Sequence, residues 1–399
     1  MYLPRKDDDL KNYWVCDIEA NGLDDATQVW CLCTVNVATE EAFSFVGHEA
    51  IRRWASELPK DAKLIFHNGL SYDVPTLNRV VGLDLSFDRC VDTLVLSYLY
   101  HPHLPGGHSL EAWGERLKFP KGDYNDWTHY NERMLEYCEQ DVRLTRRVFL
   151  ALRERMLKRG FSETSCWIEH RIRIVIDKQE RVGFSFDVER AEKLRGRLRR
   201  IEDYYGTNIR KLFPPQLVPV GTYEYRQRKD GSDTHHYTRH VDSYPQVTHS
   251  LDGTYTVWDY KEFNIGSPKQ RVERLLSLGW EPKSFTPTGQ PKVDEDALVS
   301  FAEFVERPEV HAIANWLVVN GRANMVSTWL NAVREDGRIH GKVFSCGAIT
   351  RRMRHNTPNT ANIPGNEARF GHACRSLWRA TPGRVLVGYD AAALEMRMF

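Results

Sequence analysis

The sequence predicts an α/β protein, with a mixed sheet flanked by helices at the N-terminal end. A mostly helical stretch follows, and strand-like segments return near the C-terminus. Three observations carry this. Apolar segments at 13–20, 29–37 and 42–46 lie close together, as hairpin-connected strands do. From 48 to 158 helical and strand-like segments succeed one another. After Gly160 apolar positions recur at helical spacing for some fifty residues. At 399 residues, with 41% hydrophobic and 11% aromatic content, the chain is long enough for two or three cores.

The elements follow in order. After the first three strands, HEAIRRWASEL predicts a helix over 48–58, and Ala62–Phe66 a buried strand. VPTLNRVV, TLVLSYLY, SLEAWGERLK and the run from Asn131 to about Lys158 predict further helices. IEHRIRIVIDKQERVG is amphipathic; Phe184-Ser185-Phe186-Asp187 interrupts it, and a second helix resumes at Val188 with Asp187 as N-cap. From Pro214 to about Phe263 the text turns β-rich, with turns at DGSD and HHYT. SPKQRVERLLSLGW predicts a helix with Ser267 as N-cap and Pro268 at N1, and helical text continues from Asp294 to Asn331. Strands are expected again at Arg338–Phe344 and Arg384–Tyr389.

The net charge of +1 conceals local polarity. From Arg143 to Lys211 nineteen Lys/Arg face ten Asp/Glu, and from Gly321 to Phe399 twelve face five. Such stretches are either solvated helix faces or a phosphate-contacting surface. No apolar run approaches the ~18 residues of a membrane span, and the N-terminus does not read as a signal peptide. The eight cysteines form no CxxC pair, which predicts reduced thiols in a cytosol and no zinc site. His235, His236, His240 and His249 crowd the β-rich stretch, either as surface residues or as a metal site.

The first chemical signal is Asp17-Ile18-Glu19 at the end of an apolar strand. Alternation puts both carboxylates on one face, and their mutual repulsion suits a hard divalent cation. Alone the pattern is weak: Asp187-Val188-Glu189 repeats it at an expected helix start. Asp73 follows a buried strand and could equally cap a helix. Tyr137 and Asp141 share a helix face at i, i+4, which could be an ordinary side-chain pair.

Taken together, Asp17-Ile18-Glu19, Asn68 to Asp73 and Tyr137 to Asp141 resemble the proofreading 3′→5′ exonuclease domain of family-A DNA polymerases. The strings HNGLSYDVPTL, VDTLVLSYLY, HSLEAWGERL and NERMLEYCEQD look most like the replicative polymerases of short-tailed bacteriophages. The resemblance implies a ribonuclease H-like exonuclease domain at 1–160. A linker and helical thumb would follow at 161–330, with the insert at about 214–263, and then an incomplete α+β palm at 331–399. It implies two Mg²⁺ or Mn²⁺ ions, roughly 3.5–4 Å apart, held by Asp17, Glu19, Asp73 and Asp141. Tyr137 would orient the attacking water and Asn68 would position the frayed 3′ end.

The resemblance extends C-terminally. Thr350-Arg351-Arg352 through Ile363-Pro364 is similar to the family's T-G-R…P-N-L-x-x-I-P stretch. There Arg352, His355 and Asn359 would contact primer-template, with Arg351 in place of the usual glycine and Thr360 of the usual leucine. Gly388 to Arg397 is similar to palm motif A. Asp390 and the Ala391 carbonyl would hold Mg²⁺ in the assembled polymerase, Glu395 would favour deoxyribonucleotides, and Arg397 would lie in the nucleotide-binding stretch. Asp390 alone could be a strand-end turn residue. No fingers lysine and no later His-Asp-Glu stretch follow in this sequence. The expected partners are therefore DNA and a C-terminal half bearing the fingers and remaining palm, either a separate polypeptide or the rest of a longer chain of which this is a fragment. A thioredoxin-like processivity factor at 214–263 is a further expected partner, and the host cytosol the expected location. A stand-alone exonuclease and a non-catalytic DNA-binding scaffold are the competing readings.

Overall fold

The computed structural model describes residues 2–23, 25–293, 298, 301 and 306–398, without the side chains of Glu395 and Met398. The chain divides into two compact units. The first comprises 1–184 and 334–362, the second 185–333 and 363–399.

The first unit is built on five strands: β1 (Tyr13–Ala20), β2 (Val29–Asn36), β3 (Ala42–Val46), β4 (Lys63–Phe66) and β5 (Cys90–Asp92). Their order is β3-β2-β1-β4-β5. β1, β2 and β3 pair antiparallel, while β4 and β5 add in parallel. The three N-terminal strands lie where their close spacing places them. β5 is three residues long, too short for a period to show, and lies just before the predicted helix TLVLSYLY.

Both faces of the sheet are covered. Tyr13 and Val15 of β1 enter one core with Met134, Val142, Val148 and Phe149 of the long helix α5 (Glu132–Lys158). Cys16, Ile18 and Ala20 enter the opposite core with Ile51 and Trp54 of α1 (Gly47–Glu57). α2 (Asp73–Thr76) runs into a π-helical turn that ends at Gly82, φ +76°. α3 (Thr93–Tyr100) is capped by Asp92 and α4 (Leu110–Leu117) by Ser109. The helix α6 (Glu163–Val182) also belongs to this unit, as do short strands at Lys342–Phe344 and Arg354–Asn356. The expected strand 338–344 is broken at His340-Gly341.

Arg351, standing where the resemblance expects glycine, has φ +62°. The left-handed backbone that glycine favours is therefore kept with a side chain that carries a Cβ, and its guanidinium lies 5.5 Å from the Phe161 ring centroid.

In the second unit α7 (Val188–Leu212) begins at Asp187, whose carboxylate accepts from Arg190 N–H. The second D-x-E is thus a helix start, with Glu189 paired to Lys193 on the surface. Ile209 and Phe213 pack with Phe263, Leu275, Trp280, Val310 and Ile313. Ser267 caps Pro268–Ser277 as expected. A helix spans Pro308–Asn331; most of the predicted helical text from 294 to 305 lies outside the described residues.

The insert forms a three-stranded sheet of Gln216–Glu224, Thr254–Lys261 and Gln246–His249. One expectation is corrected there: His235–Ser243 is a helix, not a turn, capped by Thr234. Its i, i+4 pair His236 and His240 both reach the Tyr255 hydroxyl, at 3.1 and 3.0 Å. A second expectation, a strand at Arg384–Tyr389, is also corrected. The segment has no ladder partner among the described residues, and a strand exists only by pairing; Val385, Leu386 and Val387 lie exposed.

Candidate metal centre

β1 outruns its parallel neighbour. Pairing with β4 covers Tyr13 to Val15 only, so Asp17 and Glu19 lie beyond the β4 end, in the crevice where open α/β sheets place site residues. Both point to the α5 side. β4 leads into a tight turn, His67 to Tyr72, that delivers Asp73. Asn68 sits at φ +73° with an exposed side chain. Gly69 is required: a Cβ there would lie 2.1 Å from Phe66 Cβ.

Asp92 holds this turn. Its Oδ1 accepts from Asn68 N–H at 2.9 Å and its Oδ2 from Leu70 N–H at 3.1 Å. Its own N–H donates to His170 Nε2 at 2.9 Å. Asp92 is therefore a structural carboxylate, spent on backbone. Gly69→Ala is expected to destabilise the chain by about 1–3 kcal/mol, read as a lower urea midpoint, because Phe66 is fixed in the strand behind it.

Asp73 is 3% exposed, and its Oδ1 accepts from Ile18 N–H at 3.2 Å, between the two β1 carboxylates. From α5 come Tyr137, Cys138 and Asp141. The Cys138 thiol approaches Asp17 Oδ2 at 3.8 Å. Asp17, Glu19 and Cys138 form the one His/Cys/Asp/Glu group of three or more at metal-ligand spacing among the described residues. Burial and hydrogen bonds to Cys31 and Cys33 push the Cys138 thiol well up, so it stays protonated and is a poor ligand.

The electrostatics are those of crowded carboxylates. Burial first, then Asp73, Glu19 and Asp141, push Asp17 well above the usual carboxylate range. Burial, opposed by the Trp127 hydrogen bond, raises Glu19 to about 7. Burial and the charge of Asp92 raise Asp73 to about 8. Burial raises Asp141 to about 6 even with the Lys121 ammonium 3.1 Å from its Oδ2. Asp141 Oδ1 is buried without a partner. The Lys121 ammonium acts on Asp17, Glu19 and Asp141, and Asp73 acts on Asp17; with the orphaned Asp141 oxygen, this donor set fits hard divalent cations. The Tyr137 hydroxyl, raised to about 12 chiefly by burial, stays protonated at neutral pH.

The sequence reasoning missed Lys121, Trp127 and Cys138. Trp127 Nε1–H donates to Glu19 Oε2 at 2.9 Å. Lys121 and Trp127 stand in an aperiodic loop with no signal to mark them; Cys138 is flagged only by lying between Tyr137 and Asp141. Three of the four histidines of the insert, His236, His240 and His249, are bonded to tyrosine hydroxyls, His249 to Tyr237 at 2.7 Å.

The other predicted residues lie apart in sequence and in unit. Arg352 and Asn359 are exposed, and His355 Nδ1 meets Thr360 Oγ1 at 3.0 Å, all in the first unit. Asp390 is exposed, Ala391 half-buried, and Arg397 Nε–H donates to the Ala392 carbonyl at 3.0 Å, all in the second. Glu395 lies on the helix Leu394–Met398, its side chain outside the description.

The model for DNA polymerase family A matches residues 241–399. The DNA-directed DNA polymerase of Escherichia phage T7 is 29% identical over 486 aligned positions, covering 96% of this chain and 68% of the relative. That of Enterobacteria phage T3 gives the same figures. The chain is thus similar to the phage-type family A DNA polymerases. DNA polymerase I of Rhizobium leguminosarum is 24% identical over 88% of this chain and 31% of its own length. Among solved structures, the POL domain of Pol1 from M. smegmatis, in complex with DNA primer-template and dNTP, matches with a TM-score of 0.62 at 18% identity. That match covers 93% of this chain, which spans about half (55%) of the solved chain. It supports a mixed α/β polymerase fold. No helix among the described residues is long and apolar enough to cross a membrane.

Proposed function

We propose that the first unit carries a metal-dependent 3′→5′ exonuclease acting on DNA ends. The observation that supports it is the convergence of Asp17, Glu19, Asp73 and Asp141 at the end of β1, with one ammonium among them and a buried Asp141 oxygen unpartnered. The strand order, with its antiparallel β1-β2-β3 and parallel β4 and β5, supports a ribonuclease H-like reading of 1–160. The four carboxylates would hold two Mg²⁺ or Mn²⁺ ions. Such ions, when bound, lower the pKa of a water and neutralise charge on attacking and leaving oxygens. Tyr137, protonated at neutral pH, would orient the attacking water by hydrogen bonding. Asn68, exposed on its turn, would hold the frayed 3′ end.

In the same reading 161–330 is a linker and thumb, whose exposed Lys193, Arg197, Arg200, Arg210 and Lys211 on α7 would follow the phosphate backbone. Residues 331–399 are the start of a palm. Arg352, His355 and Asn359 would contact primer-template there. Asp390 and the Ala391 carbonyl would hold Mg²⁺, with Glu395 and Arg397 at the nucleotide. Fingers and the remaining palm, on a separate polypeptide or on the same longer chain, would complete the polymerase, in the host cytosol.

Two assays on the chain test this reading. The first is 3′-end degradation of single-stranded DNA with Mg²⁺ or Mn²⁺. The second is primer extension with and without the complementing polypeptide. No metal-dependent degradation would remove the exonuclease assignment.

The insert at 214–263 would recruit a thioredoxin-like processivity factor. Its removal is then expected to leave the DNA affinity of the chain unchanged when no partner is present. A drop in that affinity would assign the insert to DNA instead.

A further inference from the structure

Each of the four carboxylates is held by the protein through one oxygen. Trp127 Nε1–H donates to Glu19 Oε2 at 2.9 Å, and Lys121 Nζ meets Asp141 Oδ2 at 3.1 Å. Ile18 N–H donates to Asp73 Oδ1 at 3.2 Å, and the Cys138 thiol lies 3.8 Å from Asp17 Oδ2. The first two donors come from a single strap, residues 118–131, between α4 and α5.

That strap is anchored independently of the carboxylates. The Trp127 carbonyl accepts from Trp30 Nε1–H at 3.0 Å, and the Pro120 carbonyl from Gln140 Nε2–H at 2.9 Å. The Tyr124 hydroxyl accepts from Asn131 at 2.7 Å, and its ring meets Trp127 edge-on with centroids 5.5 Å apart. Gly122 lies so near the Tyr137 ring that a Cβ would come within 3.0 Å of it. The indole N–H and the ammonium are therefore presented at fixed places.

We propose that Lys121 and Trp127 are specificity-determining positioning residues of the metal centre. By engaging one oxygen each of Asp141 and Glu19, they enforce single-oxygen ligation and so favour Mg²⁺ over Ca²⁺. The proposal rests on the metal-centre reading above. Ca²⁺ takes six to eight oxygens and readily uses bidentate carboxylates, whereas Mg²⁺ demands a compact octahedron at about 2.0–2.1 Å. For Glu19 to turn both oxygens to an ion, the Trp127 hydrogen bond must break and leave a desolvated donor unpaired, which is costly. For Asp141 the Lys121 ion pair must part. The Asp141 Oδ1 atom, buried and unpartnered, is the oxygen left for the ion.

The test is calorimetric titration of the full chain with MgCl₂ and with CaCl₂, for the unaltered protein, Trp127→Phe and Lys121→Gln. Trp127→Phe keeps the ring and removes the donor. Lys121→Gln removes a positive charge and so tightens both ions, which makes the ratio of the two dissociation constants the readout. The expected result is preference for Mg²⁺ in the unaltered chain. In each variant that preference falls roughly tenfold, the scale on which outer-shell partners act. Ratios unchanged in both variants, with unfolding transitions intact, overturn the proposal. If the unaltered chain binds neither ion, or Asp17→Ala binds both undiminished, the metal centre itself fails. The proposal then falls with it, by a visibly different result.

Discussion

Asp17→Ala is expected to lower 3′-end hydrolysis by about a thousandfold or more, which corresponds to roughly 4 kcal/mol of transition-state stabilisation. Asp17 stands where the charges of Asp73, Glu19 and Asp141 all act on it. It is the carboxylate through which a bound cation would feel the whole cluster. Its removal also relieves repulsion, so the metal-free variant should unfold no earlier than the unaltered chain. Activity lost with stability kept separates a catalytic role from a structural one. Asp92→Asn should behave oppositely, because both Asp92 oxygens serve the Asn68–Leu70 turn, and its first effect is on folding. Glu189→Ala, in the second D-x-E, removes an exposed pair with Lys193. Such a solvent-screened pair contributes little, and hydrolysis should stay within about twofold of the unaltered rate. A nuclease rate that survives Asp17→Ala would remove these four carboxylates from the reaction.

The legible parts were those that repeat or stand at fixed spacing. The strands β1, β2 and β3 are short runs set close together, α5 keeps its apolar stripe for 27 residues, and Tyr137 and Asp141 share a face because four residues make about one turn. What escaped was local structure decided by partners far away in sequence. β5 is only three residues and exists because β4 lies beside it. The segment 384–389 has the composition of a strand and, among the described residues, no strand to pair with. Helix 235–243 hides among histidines and a tyrosine, and its signals, Thr234 and the 236/240 spacing, are ones that turns also show. Lys121 and Trp127 are the sharpest case. The strap carrying them has neither period nor motif, and only the folded chain brings it over Asp141 and Glu19.

Addition of Mg²⁺ is expected to stabilise the chain more at pH 8 than at pH 6, and the sign follows from the crowding of the carboxylates. Glu19, Asp141 and Asp73 are raised to about 7, 6 and 8, and Asp17 is raised as well. A carboxyl raised in the folded state binds its proton there while the unfolded chain has already released it. The metal-free protein therefore gains most below about pH 4, where the unfolded carboxyls are themselves protonated. That gain is lost progressively as pH rises from about 4 through the folded values of about 6 to 8. Bound cations reverse this trend, because they bind the ionised oxygens and displace the protons. At pH 6 the ion competes with protons on several groups; at pH 8 it meets few. With Mg²⁺ at about a hundred times its dissociation constant, the stabilisation is roughly 2.7 kcal/mol, or some 5–10 °C for a unit of this size. Thermal unfolding at the two pH values, with Mg²⁺ and with EDTA, measures it. Asp73→Asn should raise the metal-free transition at pH 8 and abolish most of the Mg²⁺ response. An equal Mg²⁺ shift at both pH values would mean that the carboxylates of β1, α2 and α5 do not take up the ion as a cluster.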